Sequence, residues 1–150
     1  MFNSNRYRLI FRILGLIAIL FGFLTLKSGG MVLFVDGPDR AAAGNYVPFV
    51  LWFNFVAGFF YIAAGAGLWK QEKWAVRLST LIALATLAVF LAFALYINTG
   101  APYEARTVGA MTLRSSVWVF IALLSHFLAR KNGRPQTDSN TYFDERRNQP

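Results

Sequence analysis

EARTVGAMTLRSSVW, Glu104 to Trp118, reads at first as a polar loop between two apolar segments. The apolar run that follows, Val117 to Ala129, would cover only about 20 Å as a helix at about 1.5 Å per residue. A bilayer's hydrocarbon is about 30 Å thick and takes about 20 helical residues to cross. Arg130 and Lys131 close the run. Counting back about 20 residues from Ala129 reaches Ala110, so a helix is predicted over 110–129 with MTLRSS inside it. Arg114 then lies about one turn inside an apolar helix. A short, tilted or re-entrant helix from Ser115 is the alternative.

The rest of the chain makes the membrane setting the natural one. Charged residues are 15% of the 150, against about 25% in a soluble domain, and hydrophobic residues are 56%. The apolar excess falls into four blocks, predicted as spans over 9–26, 47–69, 75–97 and 110–129. The short links KQEKWAVR and NTGAPYEA make consecutive helices antiparallel neighbours. The expected fold is all-α: a polytopic up-down-up-down four-helix bundle over 1–131, followed by a polar tail over 132–150. Met31 to Val35 is β-branched and apolar and precedes the turn residues Asp36-Gly37-Pro38-Asp39, so a short extended segment is expected in the first outer loop.

Basic residues set the orientation. Arg6, Arg8, Arg12, Lys70, Lys73, Arg77, Arg130, Lys131, Arg134, Arg146 and Arg147 fall on one side; Lys27, Arg40, Arg106 and Arg114 fall on the other. The positive-inside rule puts both termini in the cytoplasm of a bacterial inner membrane. The first span lacks a small-x-small cleavage site close behind it and is expected to stay as an anchor. The net charge of +8 is that of span-flanking residues meeting anionic lipid, and no soluble basic domain remains to bind nucleic acid.

Chemistry is sparse. With no Cys and one His there is no disulfide, thiol or Cys-ligated metal, and no metal set is expected. HExxH, GxSxG, P-loop and GxGxxG motifs are absent, and no span carries two carboxylates. No catalytic residue is therefore assigned. Small residues at helical spacing mark packing faces: Gly15 and Gly22 on the first helix, and Gly58, Tyr61 and Gly65 with Asn54 on the second. Such stripes let backbones approach in lipid, while the neighbouring Phe residues face outward.

The candidate binding residues are those out of place in an apolar setting. Arg114 costs roughly 2.5 to 3.5 kcal/mol at a span's centre and less near an interface. It can snorkel to headgroups, pair with Glu104, Asp36 or Asp39, or receive a ligand. Glu104, Arg106 and Tyr103 can join it in a polar cluster at the outer mouth, binding an anionic headgroup, a quinone carbonyl or a partner subunit. Glu104 can equally serve the start of the fourth helix through its dipole. Asn54 suits an interhelical hydrogen bond. His126, alone near the inner end, suits a structural or proton-relay role.

Arg12-x-x-Gly15, then Gly22 and Lys27, with AGFFYIAAGAGLW and WAVRLSTLIALAT, resembles the DoxX-like family of small four-helix bacterial membrane proteins over about residues 9–90. The resemblance implies an inner-membrane bundle, in some relatives associated with quinone-linked sulfur oxidation or membrane oxidoreductase complexes. Three functions are open at this point. The chain can act by association, as an accessory subunit of a membrane complex or a homo-oligomer. It can be a quinone-interacting small subunit of an oxidoreductase. It can be a small carrier, for which Arg114, Asn54 and His126 stand far apart in depth. No cofactor is evident; a quinone or bound lipid is the candidate ligand, and lipid plus a membrane protein or a second copy are the expected partners.

Overall fold

The computed structural model describes residues 4–132, which are all-helical apart from turns. Five helices follow one another: α1 (Ser4–Phe34), α2 (Pro38–Ala43), α3 (Pro48–Trp69), α4 (Lys73–Asn98) and α5 (Ala105–Asn132). All but α2 are long and apolar enough to cross a membrane. The polar tail expected over 132–150 lies, beyond Asn132, outside the described residues.

The extended segment expected at Met31–Val35 is not there: α1 runs on through Phe34, and no strand occurs among the described residues. Tertiary contact overrides the helix-weakening Gly29 and Gly30. A Cβ at Gly29 would sit 3.4 Å from the Phe55 ring, so only a small residue fits this crossing. Phe34 then packs edge-on to Phe55 at 5.4 Å and to Trp52 at 5.9 Å. At 31 residues α1 is about 46 Å long, well beyond hydrocarbon thickness. The turn that follows starts α2 with Pro38 at its first position and Asp39 in its first turn, both favourable there.

α1 and α3 make the closest helix pair. A Cβ at Gly15 would lie 2.6 Å from the Gly65 carbonyl oxygen, and one at Gly22 would lie 2.9 Å from that of Gly58. Backbone therefore meets backbone at two levels one heptad apart. α3 turns into α4 through Lys70-Gln71-Glu72. Glu72 N–H donates to the Gly67 carbonyl and Gln71 N–H to that of Leu68, both at 2.9 Å, with Gln71 at φ 61°. This is a Schellman cap with glutamine in the left-handed position.

α4 packs on both α3 and α5, whereas α1 meets α5 at few positions. The bundle is thus tight on three sides and open on the fourth. Its centre holds Tyr61, Trp118, Leu68, Ala64 and Ala18, all fully buried. Leu24, Phe59, Phe60, Leu81, Leu91, Phe120 and Leu123 are at least half exposed and form an apolar outer surface. Ser79, Thr80 and Thr86 of α4 donate to carbonyls one turn back, at 2.8, 3.1 and 2.7 Å, and leave no polar demand on that helix.

Candidate binding site

A cavity of about 820 Å³ lies at the α2 end of the bundle, among α1, α3 and α5. Thr25 and Leu24 of α1, Val50 and Asn54 of α3 with Val47 just before it, and Thr107, Ala110 and Arg114 of α5 wall it, and α2 contributes Asp39, Ala42 and Ala43. The volume falls in the range of small-molecule sites, roughly 300 to 1,000 Å³. The groove between α3 and α4 is smaller, about 280 Å³, and wholly apolar, lined by Phe53, Phe60, Leu78 and Leu81 among others.

Arg114 reaches the cavity from α5. The span expected over 110–129 lies within this helix, which begins at Ala105. Nine residues of helix place Arg114 about 14 Å along α5, two and a half turns in. Its side chain is half-buried and its Nε is fully buried. One Nη faces the Met111 thioether at 3.9 Å, and the guanidinium lies 5.8 Å over the Phe21 ring. A thioether is a weak acceptor and a ring contact at this distance contributes about 0.5 to 1 kcal/mol.

None of the carboxylates considered for Arg114 pairs with it. Asp36 holds Arg40 at 2.7 Å. The Tyr46 hydroxyl first, and Asp36 second, raise the Arg40 pKa. Glu104 accepts the Asn45 N–H at 2.9 Å instead, and its side chain fills the space beside Gly44. Gly44 has φ 57°, so a glycine lets the chain turn here under the Glu104 carboxylate. The Glu104 carbonyl also accepts the Thr107 N–H at 2.9 Å and starts α5. Glu104 thus staples the loop before α3 to the start of α5.

The expected mouth cluster is divided. Arg106 and Arg114 both line the cavity, with exposed Arg106 two turns nearer the mouth. Tyr103 turns away and packs edge-on to Phe93 at 6.2 Å. His126 is exposed on α5, about 18 Å along the helix from Arg114, and takes no part. Asn54, by contrast, joins Arg114: its Nδ2 donates to the same Met111 sulfur at 3.6 Å, and both residues line the cavity. The depth separation expected of these two is not found, since both reach the Met111 sulfur. Among the described residues no three potential metal ligands come together.

Beneath Arg114 lies a polar layer that was not expected as a unit. Tyr61 and Trp118 pack across the bundle centre with ring centroids 4.6 Å apart, and Phe21 stacks on Tyr61 at 5.9 Å. Among the described residues, the buried side-chain atoms without a close hydrogen-bond partner are Asn54 Oδ1, Tyr61 Oη, Arg114 Nε, Ser115 Oγ and Trp118 Nε1, the Thr86 hydroxyl lying beside that of Tyr61. Arg114, Ser115 and Trp118 lie within about one turn of α5. Each such group costs about 1 to 3 kcal/mol when left unpaired, so their concentration calls for a reason. The spacing of Arg114 and Trp118, four apart on one helix face, was the sequence signal for it.

Gly15, Gly22, Gly58 and Gly65 stay outside this site, in the α1–α3 crossing. That crossing holds α1 close to α3 and so leaves the gap on the α5 side. Comparison with protein-family models, with curated proteins and with solved structures finds no match for this chain.

Proposed function

We propose that the chain is an integral membrane protein of a bacterial inner membrane that works by binding. It takes a lipid-soluble, polar-headed molecule into the cavity at the α2 end. The four long helices cross up-down-up-down, both termini are cytoplasmic, and α2 lies on the outer side, as the charge asymmetry favours. The single observation that carries the reading is the cavity itself: apolar walls on the sparsely packed α1–α5 side of the bundle, and a polar floor at Asn54 and Arg114. A ligand from the outer leaflet can enter sideways without leaving the lipid.

The absence of cysteine makes the test clean. Ala42→Cys puts a single thiol on the exposed, α2 side of the cavity. A membrane-impermeant maleimide added to intact cells is expected to label it. A lipid extract of the same membrane is expected to slow labelling of the purified protein, and Ala110→Trp, which fills the cavity from α5, to abolish that protection. Labelling only after permeabilisation overturns the orientation. Labelling rates indifferent to the extract overturn the binding role.

A second reading, as accessory subunit or homo-oligomer, is favoured by a different surface. Gly109, Thr112 and Ser116 form an exposed small-residue face on α5, and nothing lies within 4 Å of a Cβ built on Gly109. Faces of this kind pack helices in lipid. A stoichiometric co-purifying chain, lost on Gly109→Leu, is the result expected of that reading.

A further inference from the structure

We infer that the head of the cavity's ligand is an oxyanion, a phosphate or carboxylate, received by Arg114. The inference rests on the binding role proposed above and names the ligand's chemistry.

Arg114 carries five N–H donors and no acceptor. Its protein contacts are a thioether and an aromatic ring, and its Nε–H has no partner. A guanidinium in a poorly solvated setting is stable when oxygen acceptors fill its fork, and a carboxylate or phosphate matches that fork with two parallel hydrogen bonds. Asp36 is engaged on Arg40 and Glu104 on the Asn45 N–H, and Asp39, which lines the cavity, makes no ion pair with Arg114. Cations outnumber carboxylates among the residues that line the cavity. Arg114 lies at the floor, with Lys27 and Arg106 as exposed cations nearer the mouth, against one lining carboxylate, Asp39. Asn54 shares the floor with Arg114, and its amide nitrogen is already engaged on the Met111 sulfur. A neutral carbonyl would satisfy one donor and leave the charge unpaired; an oxyanion answers both.

The gap between α1 and α5 decides what is attached to the anion. Its walls at Leu24, Val50, Leu51 and Ala110 are apolar, which suits an acyl or isoprenoid body continuing into the leaflet. A free phosphate would use the same floor without those walls.

The test uses the full chain in phosphatidylcholine nanodiscs doped with phosphatidylglycerol, released into a native mass spectrometer. The wild type is expected to retain one phosphatidylglycerol in preference to phosphatidylcholine. Arg114→Gln is expected to lose at least tenfold in that retention, with Arg114→Lys between the two. Arg12→Gln, which removes a cation stacked on Trp69 at 5.9 Å and remote from the cavity, is expected to retain it as the wild type does. A second arm adds inorganic phosphate. Displacement of the lipid assigns the site to a soluble oxyanion and no displacement assigns it to a lipid headgroup; both support an anion at Arg114. Equal retention by wild type and Arg114→Gln overturns the inference. A third arm offers a neutral benzoquinone with an isoprenoid tail. If wild type and Arg114→Gln hold it alike and Ala110→Trp does not, the cavity binds and the anion inference falls. If Ala110→Trp retains every probe as the wild type does, the binding role falls with it.

Discussion

Replacing Gly65 by alanine separates two opposed effects at a single methyl group. Alanine is intrinsically better in a helix by about 0.8 to 1 kcal/mol. At Gly65, however, the new Cβ would lie 2.7 Å from the Gly15 carbonyl oxygen and 2.9 Å from the Ile19 nitrogen, both backbone atoms of α1. Ordinary contact begins near 3.4 Å. α1 and α3 must separate by roughly 0.5 to 0.7 Å, and a gap of that size forfeits a quarter or more of each dispersion contact along the seam. Overpacking of this kind costs about 1 to 3 kcal/mol, which exceeds the propensity gain. Lipid offers no hydrophobic compensation for a loosened pair. The net expectation is a loss of about 0.5 to 2 kcal/mol. Gly109→Ala is the internal control: the same substitution in a helix with open space around it, expected to be neutral or to gain up to about 1 kcal/mol. Equilibrium unfolding in mixed micelles by added SDS, followed by circular dichroism, compares the two. Equal stabilisation of both variants would refute a backbone-to-backbone crossing at Gly65.

Further outcomes follow from single residues. Gln71→Gly is expected to stabilise by about 1 kcal/mol, because glycine removes the left-handed penalty in the α3–α4 cap; a loss in the same unfolding assay would contradict that cap. Tyr61→Phe removes a buried hydroxyl beside Thr86, whose own hydroxyl donates to the Ile82 carbonyl, and is expected to change ligand-free stability by no more than about 1 kcal/mol. A drop beyond about 1 kcal/mol would mean the hydroxyl is bonded. Glu104→Ala is expected to speed amide hydrogen exchange at Asn45 several-fold while leaving the α3 interior unchanged, and unaltered exchange at Asn45 would argue against the staple.

The elements most legible in the sequence were those governed by periodicity and by small residues. The four apolar blocks correspond to the four long helices, and the Gly15–Gly22 and Gly58–Gly65 pairs sit where backbones meet. Where local signals misled, a distant contact had decided the outcome. Met31–Val35 looked extended because it is β-prone and precedes the turn residues Asp36-Gly37-Pro38-Asp39, yet α1 runs through Phe34, which packs on Phe55 and Trp52. The span expected over 110–129 lies inside α5, which begins at Ala105 just after Glu104. The meeting of Arg114 with Asn54 on the Met111 sulfur depends on how α3 and α5 pack, which neither segment carries by itself. The Tyr61–Trp118 layer was illegible for a different reason: the two rings come from helices α3 and α5, and only the packing order of the bundle brings them to its centre.

The most direct measurement is a census of what the chain carries out of its own membrane. Wild type, Arg114→Gln, Arg12→Gln and Ala110→Trp would each be extracted gently and weighed intact in a native mass spectrometer. One anionic amphiphile per chain on the wild type and on Arg12→Gln, with its loss from Arg114→Gln and from Ala110→Trp, is the predicted result. The same adducts on all of them, or none on the wild type, would contradict a cavity built to hold an anion on Arg114.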